Sequence, residues 1–268
     1  MKKIMTLAAI FAAVAMTFSA CNKEEKPSGN NGGNNTENNG GENNGGENNG
    51  GENNGGGEYA SPITIDGSFA DWDALDASKV AVATCDPETV NFGLKVLKAY
   101  ADEVFLNIYV ELDPDIVVCR CSDVPCEHAE EPGNPLDIFF STSKEQGGYN
   151  AFSDLCVEYF VQGTLFEAGE FTSWTGGMYM WTGEVHGDGW NWAEALSDVM
   201  ATGAGSGDKY EIAIMMDVLG GVMDLGDKFY LGAVIEQGWD IAGVLPNAAV
   251  TDENTSGKGE MLEVTINK

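Results

Sequence analysis

The stretch Ile63-Thr64-Ile65-Asp66-Gly67-Ser68-Phe69-Ala70-Asp71-Trp72 decides how the folded part of the chain begins. Its first three residues alternate apolar and polar side chains, which predicts a strand over 63–65. Asp66-Gly67 favours a tight turn, because glycine adopts a positive φ without steric cost. Phe69 and Trp72 follow the turn as large apolar side chains. The stretch therefore predicts a strand and a turn whose aromatic residues close one end of a hydrophobic core.

Downstream of this stretch, short β-branched and aromatic runs recur between Gly, Asp and Asn turns up to the C-terminus. Short strands without sustained helical periodicity are typical of a single antiparallel β-sandwich of the jelly-roll or immunoglobulin-like kind. One short helix is predicted, over 192–200. With 63–65, the predicted strands are 80–83, 94–101, 104–110, 136–140, 155–162, 178–182, 210–216, 228–235 and 261–266.

The opening stretch resembles the first strand and turn of family 9 carbohydrate-binding modules and their DOMON-like sandwich relatives. Further segments resemble later parts of that family in the expected order: 104–111, 136–149 ending in Gly-Gly-Tyr, 155–163, 210–214, 219–220 and 229–234. The resemblance covers most of residues 60–268 and implies one β-sandwich domain that binds sugar between aromatic rings. It also implies that calcium is a candidate ligand, for which Asp71 and Asp73 are the local carboxylates.

The N-terminus predicts export and lipidation. Lys2 and Lys3 precede an apolar run that ends in the small residues Ser19 and Ala20, and Cys21 follows. This is typical of a signal peptide over 1–20 and not of a membrane-spanning helix, which needs about 20 apolar residues. Small residues before a cysteine resemble a bacterial lipobox, so we expect a lipid on Cys21.

The segment after Cys21 resembles two features of exported lipoproteins. Asn-Lys-Glu-Glu-Lys at 22–26 resembles the signal that sends Bacteroidetes lipoproteins to the outer face of the outer membrane. From there to residue 59 the chain is nearly all Asn, Gly and Glu, which buries too little apolar surface to fold. Residues 21–59 are therefore predicted to be a disordered tether that extends about 35 Å on average.

The net charge limits the partners of the chain. The formal net charge is -30 at pH 7, which excludes nucleic acid because DNA and RNA binding depends on basic residues that neutralise phosphates. An acidic surface suits neutral glycans, cations or basic peptides. High net charge also promotes solubility at a crowded cell surface. Membrane contact is expected through the lipid anchor alone.

The segment 171–192 gathers aromatic residues between glycines. It holds four of the six tryptophans of the chain, and rings on glycine-rich loops can stack on the C–H faces of a sugar. The alternative is that these rings lie in the core, and for any single tryptophan that alternative is favoured. Asp188 and Asn191 are predicted polar anchors beside the rings. The predicted ligand-binding rings are Trp174, Tyr179, Trp181, Trp190 and Trp192, with Trp239 as the opposing ring.

A cysteine-rich insertion predicts either disulfides or a metal. Cys119, Cys121, Cys126 and His128 lie within ten residues, and three thiolates with an imidazole suit zinc. The spacing differs from that of known zinc fingers, and exported proteins usually pair their cysteines, so disulfides or structural thiols are favoured over zinc.

No catalytic signature occurs in the sequence. Neither a G-x-S-x-G nucleophile motif, an H-E-x-x-H zinc motif nor a phosphate-binding loop is present. Pairs of acidic residues are no evidence for a catalytic site in a chain that has 43 acidic residues. We therefore expect a non-catalytic surface lipoprotein that captures a neutral glycan and requires no cofactor, with other outer-membrane uptake proteins as candidate partners. The alternative is a structural or adhesive surface lipoprotein without a sugar ligand.

Overall fold

A computed structural model describes residues 59–89, 92–114, 134–143, 157–167, 170–184, 191–237 and 240–268. The signal peptide, Cys21 and the tether lie outside these ranges, so those predictions are not tested. Residues 57–268 form one compact unit. The described chain is all-β and forms the β-sandwich that the sequence predicts.

The strands are short and follow one another with few helical residues between them. Within the described ranges they are β1 (Ala81–Thr84), β2 (Leu94–Asp102), β3 (Phe105–Leu112), β4 (Asn134–Ser141), β5 (Tyr159–Glu167), β6 (Glu170–Phe171), β7 (Gly176–Trp181), β8 (Trp192–Leu196), β9 (Ala201–Ser206), β10 (Lys209–Met215), β11 (Lys228–Gln237), β12 (Asp240–Leu245) and β13 (Leu262–Asn267). Helix α1 spans Ala70–Ala74, helix α2 spans Met216–Gly220, and a 3₁₀ turn spans Ala77–Lys79.

Hydrogen bonding joins the described strands into one curled sheet. The order is β8-β7-β5-β4-β11-β13-β2-β3-β10-β9, with β1 beside β2, β12 beside β11 and β6 beside β5. The neighbours are antiparallel except β13 and β2, which are parallel. The sheet has two halves, one around β4 and β5 and the other around β2 and β3, and their inner faces enclose the core.

Period-two alternation explains which side chains enter the core. Leu106, Ile108 and Val110 of β3 are fully buried, and so are Leu136 and Ile138 of β4. Successive side chains of a strand point to opposite faces, so these residues share the inner face of their half. The hydroxyl of Tyr210 on β10 donates to the carbonyl of Thr172 at 2.7 Å and links the two halves.

The segment that opens the folded domain packs on the outer face of β2 and β3. Ile63 and Trp72 are 3% and 4% exposed, and they lie against Tyr100 and Tyr109. The ring of Trp72 contacts that of Tyr109 with centroids 5.7 Å apart. Gly67 has φ +78°, as the predicted turn requires. The stretch therefore covers the outer face of β2 and β3 with a separate apolar cluster, and the prediction that it closes one end of the core is wrong.

Two predictions about secondary structure are wrong. Residues 63–65 form no strand, because Ile63 is buried under the segment without pairing to the sheet. Residues 192–200 form no helix; strand β8 begins at Trp192 and pairs with β7. Strands β6, β9 and β12 and helices α1 and α2 were not predicted. No helix of the described ranges is long and apolar enough to cross a membrane.

Candidate functional site: an aromatic shelf on the outer sheet face

The face that lies opposite the core on β4, β5 and β7 carries a second group of aromatic residues. Ile138, Val161 and Met178 point into the core, so the residues on either side of them point outward. Strand pairing brings Phe139, Phe160, Tyr179 and Glu194 into one row across four strands. Trp181 and Trp192 are directly paired on the next row.

These rings contact one another in a continuous series that we name the aromatic shelf. The centroids of Phe139 and Phe160 are 5.2 Å apart and those of Phe160 and Tyr179 are 4.9 Å apart, both stacked. Trp192 meets Phe160 edge to face at 4.8 Å and Trp181 at 5.1 Å. Each such contact is worth roughly 0.5–1.5 kcal/mol beyond burial, so the rings hold one another in a fixed arrangement.

The shelf has a buried floor and a partly exposed surface. Phe139 and Phe160 are 7% and 1% exposed, whereas Tyr179, Trp181 and Trp192 are partly accessible to solvent. The indole Nε1 of Trp181 donates to the carbonyl of Glu184 at 3.0 Å, which leaves its ring oriented by the β7–β8 connection. Three rings of the shelf therefore present part of their surface to solvent.

Polar side chains lie on the adjoining row of the same face. Val234, Asp137, Gln162 and Gly177 are paired in that order across β11, β4, β5 and β7. Gly177 has no side chain, and a Cβ there would lie 3.6 Å from the hydroxyl of Tyr179. The Tyr179 ring therefore lies along β7 with its hydroxyl toward the row of Gln162. We name Asp137, Gln162, Glu236 and the Tyr179 hydroxyl the polar patch.

The electrostatics of the polar patch centre on Asp137. Burial raises the pKa of this carboxyl well above its usual value, and the charge of Glu236 raises it further. A hydrogen bond from the Gln162 side chain opposes both effects. The pKa of Tyr179 is also raised, by burial first and then by the charges of Glu194 and Asp137. The patch is therefore acidic and partly desolvated.

The structure corrects the prediction for Trp174. This residue is 0% exposed, and its Nε1 donates to the carbonyl of Leu136 at 3.2 Å. A Cβ at Gly163 would lie 2.5 Å from its ring, so the glycine provides the space for the indole. Trp174 belongs to the core because the loop before β7 turns inward, and it is not a ligand-binding ring in this structure.

Four of the other predicted ligand-binding residues lie on or beside the shelf. Tyr179, Trp181 and Trp192 come together on the shelf. Asn191 is exposed next to Trp192, and its carbonyl accepts from the backbone N–H of Thr182 at 2.8 Å. The three remaining predicted positions, Asp188, Trp190 and Trp239, lie outside the described residues.

Sequence reasoning missed the polar patch and the floor of the shelf. Asp137, Gln162 and Glu236 are separated by tens of residues and belong to three strands. The available signal was the alternation of apolar and polar residues. Asp137 stands between two apolar core residues of a strand, a pattern that normally places a carboxylate on a solvated sheet face. Its 4% exposure is what makes it unusual, and no local pattern predicts that burial.

The predicted metal sites remain predictions. In α1, the Asp71 carboxylate accepts from the backbone N–H of Thr64 at 2.7 Å, and Asp73 is exposed. Among the described residues, no three His, Cys, Asp or Glu side chains are grouped to hold a metal ion. Cys85 has a free thiol. The insertion with Cys119, Cys121, Cys126 and His128 lies outside the described residues.

Comparison with known proteins gives matches among solved structures alone. No protein-family model and no curated protein matches the chain. A family 9 carbohydrate-binding module from Caldicellulosiruptor kristjanssonii in complex with glucose has a TM-score of 0.34 and 12% identity, over 78% of this chain and 93% of that chain. The module from the same organism in complex with cellotriose has a TM-score of 0.33 and 12% identity, over 78% and 91%.

Proposed function

We propose that this chain is a non-catalytic surface lipoprotein that binds a neutral glycan on the aromatic shelf. The observation that carries the proposal is the position of three partly exposed rings, Tyr179, Trp181 and Trp192, beside the polar patch on one sheet face. A pyranose needs both kinds of surface, because its C–H face stacks on rings while its hydroxyl groups need hydrogen-bond partners.

The charge of the shelf supports a neutral ligand. Glu194 and Glu236 lie on this face as carboxylates. Carboxylates accept hydrogen bonds from sugar hydroxyl groups and repel uronic acids and sulfated sugars. The sequence adds the predicted lipid on Cys21 and the tether, which together would hold the domain at the outer face of the outer membrane, with other uptake proteins as candidate partners.

Glycan binding is tested by calorimetry and affinity electrophoresis. The panel contains neutral gluco-, xylo-, manno- and galacto-oligosaccharides with matched uronic-acid and sulfated oligosaccharides. We expect a neutral member to bind and the acidic ones to bind more weakly. Failure of folded protein to bind any member would favour the alternative, a structural or adhesive lipoprotein.

The shelf itself is tested with one substitution and a matched control. Trp192→Ala removes a partly exposed ring, and Phe92→Ala removes an exposed ring that is not part of the shelf. We expect Trp192→Ala to weaken binding at least tenfold, about 1.4 kcal/mol, and Phe92→Ala to leave it unchanged. Equal effects of the two substitutions would place the ligand elsewhere.

A further inference from the structure

Among the described residues, one carboxyl oxygen of Asp137 has no hydrogen-bond partner. The residue is 4% exposed, and its Oδ1 is buried without a hydrogen bond. Strand alternation directs the side chain away from the core, and strand pairing places it between Val234 and Gln162 on the shelf face. A buried polar atom without a partner is costly and rare in folded proteins. At this position it marks a place where a ligand atom can complete a hydrogen bond.

The surroundings of Asp137 favour its neutral form. Glu236 lies on the same face of β11, two residues from Val234, which is the direct partner of Asp137. Two carboxylates at such diagonal positions, one of them desolvated, do not both ionise readily. Burial of Asp137, and after it the charge of Glu236, raise the pKa of this carboxyl group.

We propose that Asp137 is the specificity-determining anchor of the shelf and binds, as a neutral carboxylic acid, an uncharged hydroxyl or ether oxygen of the ligand by donating a hydrogen bond. This inference rests on the proposed glycan-binding function. The Gln162 side chain, paired with Asp137 across β4 and β5, interacts with the carboxyl group and orients the acid. Ionisation of Asp137 releases the proton, removes the donor and leaves two like charges, so the ligand loses its anchor.

The charged groups that face Asp137 determine in which direction a substitution shifts the pH at which binding declines. Glu236 on β11 raises the pKa of Asp137, Tyr179 on β7 lies beside it, and Glu194 on β8 acts on Tyr179. Removing the charge of Glu236 lowers the pKa of Asp137. Binding by Glu236→Gln protein should therefore decline at lower pH than binding by the wild type. Glu260→Gln is the matched control, because Glu260 is an exposed carboxylate that belongs to neither the shelf nor the polar patch.

The experiment measures Kd for the tightest neutral oligosaccharide of the panel from about pH 4 to about pH 10, a range that spans the ordinary and raised pKa values of carboxyl groups. Wild-type binding should weaken at least tenfold as pH rises through the pKa of Asp137. Asp137→Asn replaces the neutral acid by an amide of the same shape that also donates. It should bind within about threefold of the wild type at pH values below the pKa of Asp137 and show no such decline. Asp137→Leu should lose binding at every pH.

A second readout separates this inference from the glycan-binding proposal. Carbon-13 NMR of labelled aspartate, compared between wild type and Asp137→Asn, reports the pKa of Asp137 without any ligand. A titration midpoint that coincides with the loss of binding supports the proposal. Binding that is independent of pH, or lost in Asp137→Asn as in Asp137→Leu, overturns the anchor but leaves glycan binding intact. Absence of binding to every oligosaccharide overturns both.

Discussion

Glu211 is expected to fasten the opening segment of the domain to the sheet. Its side chain is fully buried on the outer face of β10. Oε1 accepts from the backbone N–H groups of Asp66 at 3.0 Å and Gly67 at 2.9 Å, and Oε2 accepts from Nε1 of Trp72 at 3.0 Å. One carboxylate therefore holds both the turn and the buried tryptophan that cover this side of the sandwich.

The size of the effect follows from these contacts. A hydrogen bond to a charged group contributes about 1.5–3 kcal/mol, and a buried donor left without a partner costs about 1–3 kcal/mol. Glu211→Ala removes all three acceptor contacts while the desolvation of the carboxylate is relieved, so we expect a loss of about 3–5 kcal/mol. Glu211→Gln keeps one acceptor oxygen but sets its amide N–H₂ against a donor. Its expected loss is about 1–3 kcal/mol.

Equilibrium urea unfolding followed by tryptophan fluorescence measures both losses. The midpoint should fall in the order wild type, Gln, Ala, with little change in the slope of the free energy against urea. Glu260→Ala is the control, because Glu260 is an exposed carboxylate on the same domain. If Glu211→Ala costs no more than Glu260→Ala, the carboxylate does not fasten the segment and the reasoning is refuted.

The pH dependence of the same variants has a definite sign. Burial raises the pKa of Glu211, and the hydrogen bonds from Gly67, Trp72 and Asp66 oppose that shift. A raised carboxyl pKa means that the folded state binds the proton more tightly than the unfolded state. Its contribution to stability is therefore present below pH 4.5 and is lost as pH rises through the folded-state pKa. The stability difference between wild type and Glu211→Gln should shrink across that window, and growth with pH would contradict the assignment.

Three further predictions follow from other parts of the chain. Trp174→Ala should lower the free energy of unfolding in urea by about 3–5 kcal/mol, as for other core aromatic residues. Trp181→Ala should lower it much less and act mainly on glycan affinity. Equal losses would mean that both rings belong to the core. Wild-type stability should fall relative to Asp137→Asn as pH rises above 3.8, because the pKa of Asp137 is raised in the folded state; parallel stability curves would contradict this. Cys21→Ser should abolish incorporation of labelled palmitate and release the protein from the membrane fraction; retention there would refute lipid anchoring.

The strand positions are the part of the fold that sequence reasoning predicted well. Residues 94–101, 104–110 and 228–235 lie within β2, β3 and β11, respectively, apart from Val104, which immediately precedes β3. Period-two alternation is a local property, so it survives in the sequence whatever the strand pairs with. The same reasoning failed for Trp192–Leu196, where alanine and leucine favour a helix in isolation. Pairing with β7 and the contact between Trp192 and Trp181 override that preference.

The candidate site was predictable only in part. The cluster of aromatic residues indicated the right region, because Tyr179, Trp181 and Trp192 do share a surface. Trp174 lies in the same cluster but enters the core, since the loop that carries it turns inward over Gly163. Local sequence does not distinguish these outcomes, because a tryptophan suits a buried site and a stacking surface equally well.

The sequence by itself determined that the domain is all-β, because alternation and turn residues act over a few neighbouring positions. Its composition likewise predicted the tether and argued against nucleic acid as a partner. Only the tertiary structure decided which sheet face carries the shelf and which polar groups border it. Asp137, Gln162 and Glu236 become neighbours through the pairing of β4 with β5 and β11. That register depends on packing across the whole sheet, because a shift of one residue in a strand moves every side chain to the opposite face.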